Sequence, residues 1–193
     1  MESSRPDQIG QVRPRPLANV AEAAVAAPPT FPQLFEEQAS YVWAALKRLG
    51  IRHSDLEDLT HDVFVQVFRQ LDQYDPARPM KPWLFGFAFR IASQHRRRHA
   101  YRFEVAEQRE AADAAPDPAD QLLASERRQL AWAALEELEL NQRAVFILHE
   151  LDGCSIPKVA EHLGIPLSTA YSRLRLARED FARAARRLRS RQR

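Results

Sequence analysis

Ser155-Ile-Pro-Lys-Val-Ala-Glu-His-Leu-Gly-Ile-Pro-Leu-Ser-Thr-Ala-Tyr-Ser-Arg-Leu-Arg-Leu-Ala-Arg178 reads as helix, tight turn, helix. Ala160 leaves room for a crossing helix, Gly164 permits a left-handed turn, and Pro166 stops the first helix from continuing. The second helix runs on to about Arg187, and a short basic tail, 188–193, follows it. Upstream, helical patterning covers 121–137 and 142–151, so residues 121–187 read as one small helical domain.

Working outward, residues 104–120 carry one basic and six acidic groups and are rich in Ala and Pro, the composition of a flexible acidic linker. Before it lies a second helical block, 30–103. Leu34, Phe35, Val42, Ala45, Leu46 and Leu49 form an apolar stripe. Ser54 and Glu57 are spaced as a capping box for a helix over Asp55–Leu71. That helix buries Leu56, Leu59, Val63, Val67 and Leu71, and Asp58, Asp62, Gln66 and Arg69 line its other side. Three prolines between Tyr74 and Pro82 predict a rigid loop, with a long helix starting near Trp83 and running into Arg96-Arg97-Arg98. Residues 1–29 hold five prolines and few large apolar groups and read as a disordered tail. With five glycines in 193 residues and no alternating β-branched run, the chain is expected to be all-α, with two small helical domains on either side of the linker.

Charge and cysteine usage narrow the function. Formal net charge is only +2, yet Arg is clustered at 90–102 and again from Arg173 to Arg193, where nine Arg face Glu179 and Asp180. Clustered cations bind phosphates even on a nearly neutral protein. The single Cys154 excludes an intrachain disulfide and fits a reducing compartment, while no apolar run is long enough for a membrane span. A cytoplasmic protein without membrane insertion is expected.

Two regions carry chemistry. Thr169, Ser172, Arg173 and Arg175 stand near the start of the second helix, with Arg178 a turn later, as major-groove readout of duplex DNA requires. The other is Arg90, Arg96, Arg97, Arg98 and Arg102 on a helix bearing Trp83, Phe85, Phe87 and Phe89, the composition of a single-strand binder. Trp83 and Phe87 share a face and read as core; Phe85 and Phe89 are left open between core and stacking. Asp58 and Asp62 could be paired catalytic carboxylates, but nothing that completes a catalytic constellation accompanies them, so they read as a solvated or docking face. His95 and His99 have metal-ligand spacing inside an Arg cluster that would repel a dication, so neither metal nor cofactor is expected. Cys154 reads as a small residue closing a turn.

Four stretches then resemble the extracytoplasmic-function class of bacterial RNA polymerase sigma factors, over residues 31–185. They are Asp55-Leu-Glu-Asp-Leu-Thr-His-Asp-Val-Phe64, Pro82-Trp-Leu-Phe-Gly-Phe-Ala-Phe-Arg-Ile-Ala92, Gln142-Arg-Ala-Val-Phe-Ile-Leu-His-Glu-Leu-Asp-Gly153 and Ser168-Thr-Ala-Tyr-Ser-Arg-Leu-Arg-Leu-Ala-Arg178. The resemblance implies a non-enzymatic subunit that binds core RNA polymerase and directs promoter recognition and initiation. It implies that Asp58, His61, Asp62 and Phe64 meet the β′ clamp helices, and that helix 142–151 meets the β flap. Trp83, Phe85, Phe89, Arg90, Gln94, Arg96, Arg97 and Arg98 would hold the single-stranded −10 element. Ser168, Thr169, Tyr171, Ser172, Arg173, Arg175 and Arg178 would read the −35 duplex. An anti-sigma partner is implied as well. His61, Arg90, Gln94, Glu139 and Leu176 depart from the residues usual in the class. The alternative is a stand-alone helix-turn-helix repressor or activator.

Overall fold

In a computed structural model the backbone is described for residues 30–103 and 122–191, and the side chains for 30–98 and 126–191. The 1–29 tail, the 104–120 linker and the side chains of His99 and Arg102 lie outside these residues. Seven α-helices follow in order: α1 (Phe31–Arg48), α2 (His53–Phe68), α3 (Met80–Phe103), α4 (Leu122–Glu136), α5 (Leu140–Phe146), α6 (Ile156–Leu163) and α7 (Leu167–Arg191). Every regular element among the described residues is helical, the fold class expected.

Several boundaries differ from the sequence reading, each for a local reason. No capping box forms at Ser54: α2 is capped at Arg52, so Ser54 already lies in the first turn and its hydroxyl donates to Asp55 at 2.9 Å. At α1 the side chain of Gln33 closes the first turn instead, accepting from the Thr30 N–H at 3.1 Å and from the Thr30 hydroxyl at 2.8 Å. α2 stops at Phe68, and Leu71 falls in a short 3₁₀ turn, Leu71–Gln73. α3 begins at Met80, ahead of Pro82, because a proline in the first helical turn forfeits no intrahelical hydrogen bond. After α5 the chain widens into a π-helical turn, Ile147–Leu151, which carries Asp152 beyond it.

α1, α2 and α3 pack on one another, and α7 packs across α4, α5 and α6. The two groups also meet: α3 lies against α6 and α1 against α4. One continuous apolar core joins them, from Leu34, Leu46, Phe64 and Phe85 on one side to Val145, Leu148, Val159 and Leu174 on the other. Inside the helix-turn-helix, Gly164 adopts φ +63°, the left-handed cap the turn needs.

Glu139 shows how a departure from the family pattern is accommodated. Its carboxylate caps α5, accepting from the N–H groups of Asn141 at 3.1 Å and Gln142 at 3.3 Å. Negative charge at a helix N-terminus is favourable as well.

Candidate nucleic-acid interface

The N-terminal half of α7 is an open, polar surface. Ser168, Tyr171, Ser172, Arg175 and Arg178 are exposed, while Thr169 and Arg173 are half-buried. Tyr171 keeps 56% of its surface in solvent, high for an aromatic side chain with no partner element over it. Ala170, Leu174 and Ala177 form the opposite, buried face and fix the helix on the core. Arg175 pairs with Glu179 at 2.7 Å and Arg178 with Glu150 at 2.6 Å. Both are exposed pairs, of the kind that contributes little to stability and exchanges readily for a phosphate.

The second candidate region surrounds the proline loop and α3. A cleft of about 440 Å³ opens between them, lined by Tyr74, Asp75, Arg78, Trp83, Phe87 and Arg90. Trp83 lies between Tyr74 and Phe87, with ring centroids 4.9 Å from each. The Arg90 guanidinium stands over the Phe87 ring at 4.5 Å. Aromatic faces and a cation at one cleft can hold an unstacked base and its phosphate. Beyond the cleft, Gln94, Arg96, Arg97 and Arg98 extend along α3 as an exposed basic stripe.

The aromatic assignments need revision at two positions. Phe85 is 0% exposed and packs in the core, so no base can reach its ring in this arrangement. Phe89 is half-buried against the same core. Trp83, read from its helical face as core, is half-buried against that core and also borders the cleft, where the Tyr74–Arg78 loop folds back beside it and the Tyr74 hydroxyl donates to the Arg78 carbonyl at 2.6 Å. Tyr74, Asp75 and Arg78 of the cleft belong to the proline loop 74–82, which the resemblance assigns with α3 to the −10 strand, whereas Glu161 and His162 were not singled out by sequence. Gly86 between two phenylalanines was the one available signal, since a glycine inside an aromatic helix marks a close approach.

A third surface covers the outer side of α1 and α2. Asp58, His61 and Asp62 are exposed, and among the described residues the two carboxylates make no ion pair. Phe64, expected to meet the polymerase, is instead 1% exposed and packs in the core, so a partner cannot reach its ring in this arrangement. Beside His61, the rings of Phe31, Phe35, Phe64 and Phe68 meet at 4.7–6.5 Å and leave Phe68 62% exposed. An acidic strip flanked by uncovered aromatics has the make-up of a protein-docking surface. His95 is engaged with Asp55, Nε2 to Oδ2 at 3.1 Å. Burial would raise the Asp55 carboxyl, but the Ser54 hydroxyl and the Arg52 guanidinium outweigh it and hold the group below its ordinary range.

A fold whose described residues are all helical, with an exposed polar helix-turn-helix and a separate basic, aromatic cleft, has the make-up of a DNA-binding protein. Sigma-70 region 2 matches residues 34–114, and Sigma-70 region 4 matches residues 128–181. The ECF RNA polymerase sigma factor SigE of Mycolicibacterium smegmatis is 30% identical over 159 residues, covering 81% of this chain and 62% of SigE. The RNA polymerase sigma factor CnrH of Cupriavidus metallidurans is 29% identical over 178 residues, covering 84% of this chain and 90% of CnrH. Among solved structures, the sigma factor RpoE in complex with the anti-sigma factor NepR from Bartonella quintana superposes with a TM-score of 0.67 at 23% identity, over 81% of this chain and 96% of that one. CnrH in complex with the cytosolic domain of CnrY gives 0.51 at 26% identity, over 79% and 84%.

The chain belongs to the extracytoplasmic-function class of the sigma-70 family of RNA polymerase sigma factors. It directs transcription initiation by promoter recognition, and the stand-alone repressor or activator is not favoured. No helix among the described residues is long and apolar enough to cross a membrane.

Proposed function

We propose that the three surfaces divide the work of a dissociable promoter-specificity subunit. Residues 30–103 and 121–187 act as its two domains, joined by 104–120. The face of α2 bearing Asp58, His61 and Asp62, backed by Phe64, docks on core RNA polymerase at the β′ clamp helices, and the α5 region meets the β flap. The loop 74–82 with Trp83, Phe89, Arg90, Gln94, Arg96, Arg97 and Arg98 holds the unpaired −10 strand. Ser168, Thr169, Tyr171, Ser172, Arg173, Arg175 and Arg178 read the −35 duplex. The chain itself catalyses nothing and works in the cytoplasm; the polymerase supplies the catalytic centre. An anti-sigma factor is the expected inhibitor, as NepR and CnrY are the partners of the two similar structures.

One observation carries the division of labour: the cleft beside Trp83 and the exposed start of α7 differ in kind. A cleft with rings and cations suits an extruded base, whereas an open helix face with hydroxyls and Arg suits a groove. Arg173→Ala is therefore expected to weaken −35 duplex binding by about 1–3 kcal/mol and to relax specificity there. The same holoenzyme should bind a −10 non-template oligonucleotide as before. Neutralising Arg96 and Arg97 to Gln should do the reverse, weakening the oligonucleotide and flattening its salt dependence by about 0.7 per lost phosphate contact. Fluorescence anisotropy against salt concentration measures both. Equal losses on both DNAs from either change would reject the division.

A further inference from the structure

We propose that the end of α7 is a phosphate-binding clamp for the duplex flanking the −35 element, with Arg186 and Arg189 as its contacts. The inference rests on the assignment of the start of α7 to the −35 duplex. The Sigma-70 region 4 match ends at residue 181, whereas α7 runs unbroken to Arg191. The added turns carry Arg183, Arg186, Arg187, Arg189 and Arg191, and no acidic residue follows Asp180.

These turns are anchored along one side. The Phe181 ring stacks on Phe146 of α5, with centroids 4.9 Å apart and planes at 25°. Ala184 is buried and Leu188 half-buried beneath the helix. The Arg187 guanidinium is paired with the carboxylate of Glu137, which follows α4. A helix fixed in this way presents its opposite side as a rigid surface.

That opposite side continues the one that meets DNA. Arg175 and Arg178 recur eleven residues later as Arg186 and Arg189. Eleven residues make about three helical turns, so the second pair stands on the same face as the first. Both Arg186 and Arg189 are exposed, and neither makes an ion pair among the described residues. Their neighbours differ: Arg183 is held by Asp180 at 3.0 Å and Arg187 by Glu137. Arg187 and Arg191, four residues apart, share another face. The helix macrodipole favours cations in the last turn. It is indifferent to face, so it does not account for an unpaired row in line with Arg175 and Arg178.

Spacing assigns the ligand. At 1.5 Å per residue, the second pair lies about 16 Å beyond the first. The major groove is about 12 Å wide, so with Arg175 and Arg178 inside it Arg186 and Arg189 fall past its rim. Duplex DNA presents its phosphates there. Ala182 and Ala185, between the two pairs, add no bulk that would hold the backbone off. Glu179, the carboxylate on this face, is neutralised by Arg175 at 2.7 Å. Contacts of this kind add affinity and fix orientation without reading sequence.

The test uses holoenzyme assembled with the full chain, titrated by fluorescence anisotropy over a range of salt. One duplex is trimmed to the −35 element, and the other carries about one helical turn, roughly 10 bp, of added DNA on each side. Arg186→Gln with Arg189→Gln is expected to flatten the log–log salt slope on the long duplex by about 1.8, two phosphates at about 0.9 each. Over a fourfold rise in salt, the variant then loses roughly tenfold less affinity than wild type. On the trimmed duplex the two should coincide. Arg187→Gln with Arg191→Gln removes equal charge from the same turns and should match wild type on both duplexes. Arg186→Lys with Arg189→Lys keeps the charge and should keep the steep slope. A first pair that changes nothing, or that flattens the slope no more than the second, overturns the clamp. A Lys pair as flat as the Gln pair overturns contact through charge. Arg173→Ala separates the clamp from the reading beneath it. If that change weakens both duplexes while the Arg186, Arg189 pair is silent, the −35 assignment stands and the clamp falls. Wild-type holoenzyme that holds the −35 duplex no better than a scrambled one overturns both.

Discussion

Phe85→Ala is expected to cost about 3–5 kcal/mol of folding stability, the range for emptying a buried phenylalanine site. The ring is fully buried in α3 and belongs to the core shared by both helical groups. Truncation removes apolar burial and leaves a void that close-packed helices fill only in part. Because a domain of this size holds only about 5–15 kcal/mol in total, a large share of the stability would go. A urea titration followed by circular dichroism measures the shift in midpoint. Phe89→Ala, at a half-buried position, should move it much less. An unchanged midpoint for Phe85→Ala together with lost −10 strand binding would put the ring on the DNA and refute its place in the core.

Phe85 also marks where sequence reasoning reached its limit. Helical periodicity fixes which residues share a face, and it located every helix from α1 to α7 within a few positions. It placed Leu56, Leu59, Val63 and Val67 on the buried side of α2, and all four are buried. The helix-turn-helix was legible because Ala160, Gly164 and Pro166 each carry a separate steric reason for one geometry. In α3, however, Leu84, Phe85, Phe87 and Ala88 are buried on several sides at once, against α1, α2 and α6. A helix enclosed all round shows no clean stripe, so the pattern cannot sort core rings from surface rings.

The polar seam between the two helical groups was not legible at all. Tyr41 and Asp152 are 111 residues apart, and Arg78 and Glu161 are 83 apart. Neither pair repeats with any period, and each residue taken singly reads as a solvated surface group. Asp152 is further displaced by the π-helical turn, since a residue added to a helical turn leaves no mark in composition. Arg143 was the one visible hint: a charge inside the run Arg143-Ala-Val-Phe146, whose four residues are all buried.

Reversing Asp58 and Asp62 together to Lys is expected to weaken binding to core RNA polymerase by about 2–5 kcal/mol if these carboxylates are desolvated in the complex. At about 1.4 kcal/mol per tenfold, that is roughly thirtyfold to several-thousandfold. The size follows from their surroundings. Both are exposed on the middle turns of α2, away from the helix ends where the macrodipole would complicate the effect. Neither is committed to an ion pair among the described residues, whereas Asp55 on the same helix is held by Arg52 and His95. Phe35 and Phe68 stand uncovered beside them, so a partner seated here would exclude water around the charges. Because the two side chains support no packing, the variant should keep its helical content and urea midpoint, which separates a docking defect from misfolding. Glu36→Lys with Glu37→Lys, an equal change of charge on exposed positions of α1, serves as the control for long-range attraction and should show only the salt-sensitive part of the loss. Titration of labelled core polymerase at two salt concentrations distinguishes the contributions. A double Lys variant of α2 that binds no more weakly than this control would remove the acidic strip from the docking surface.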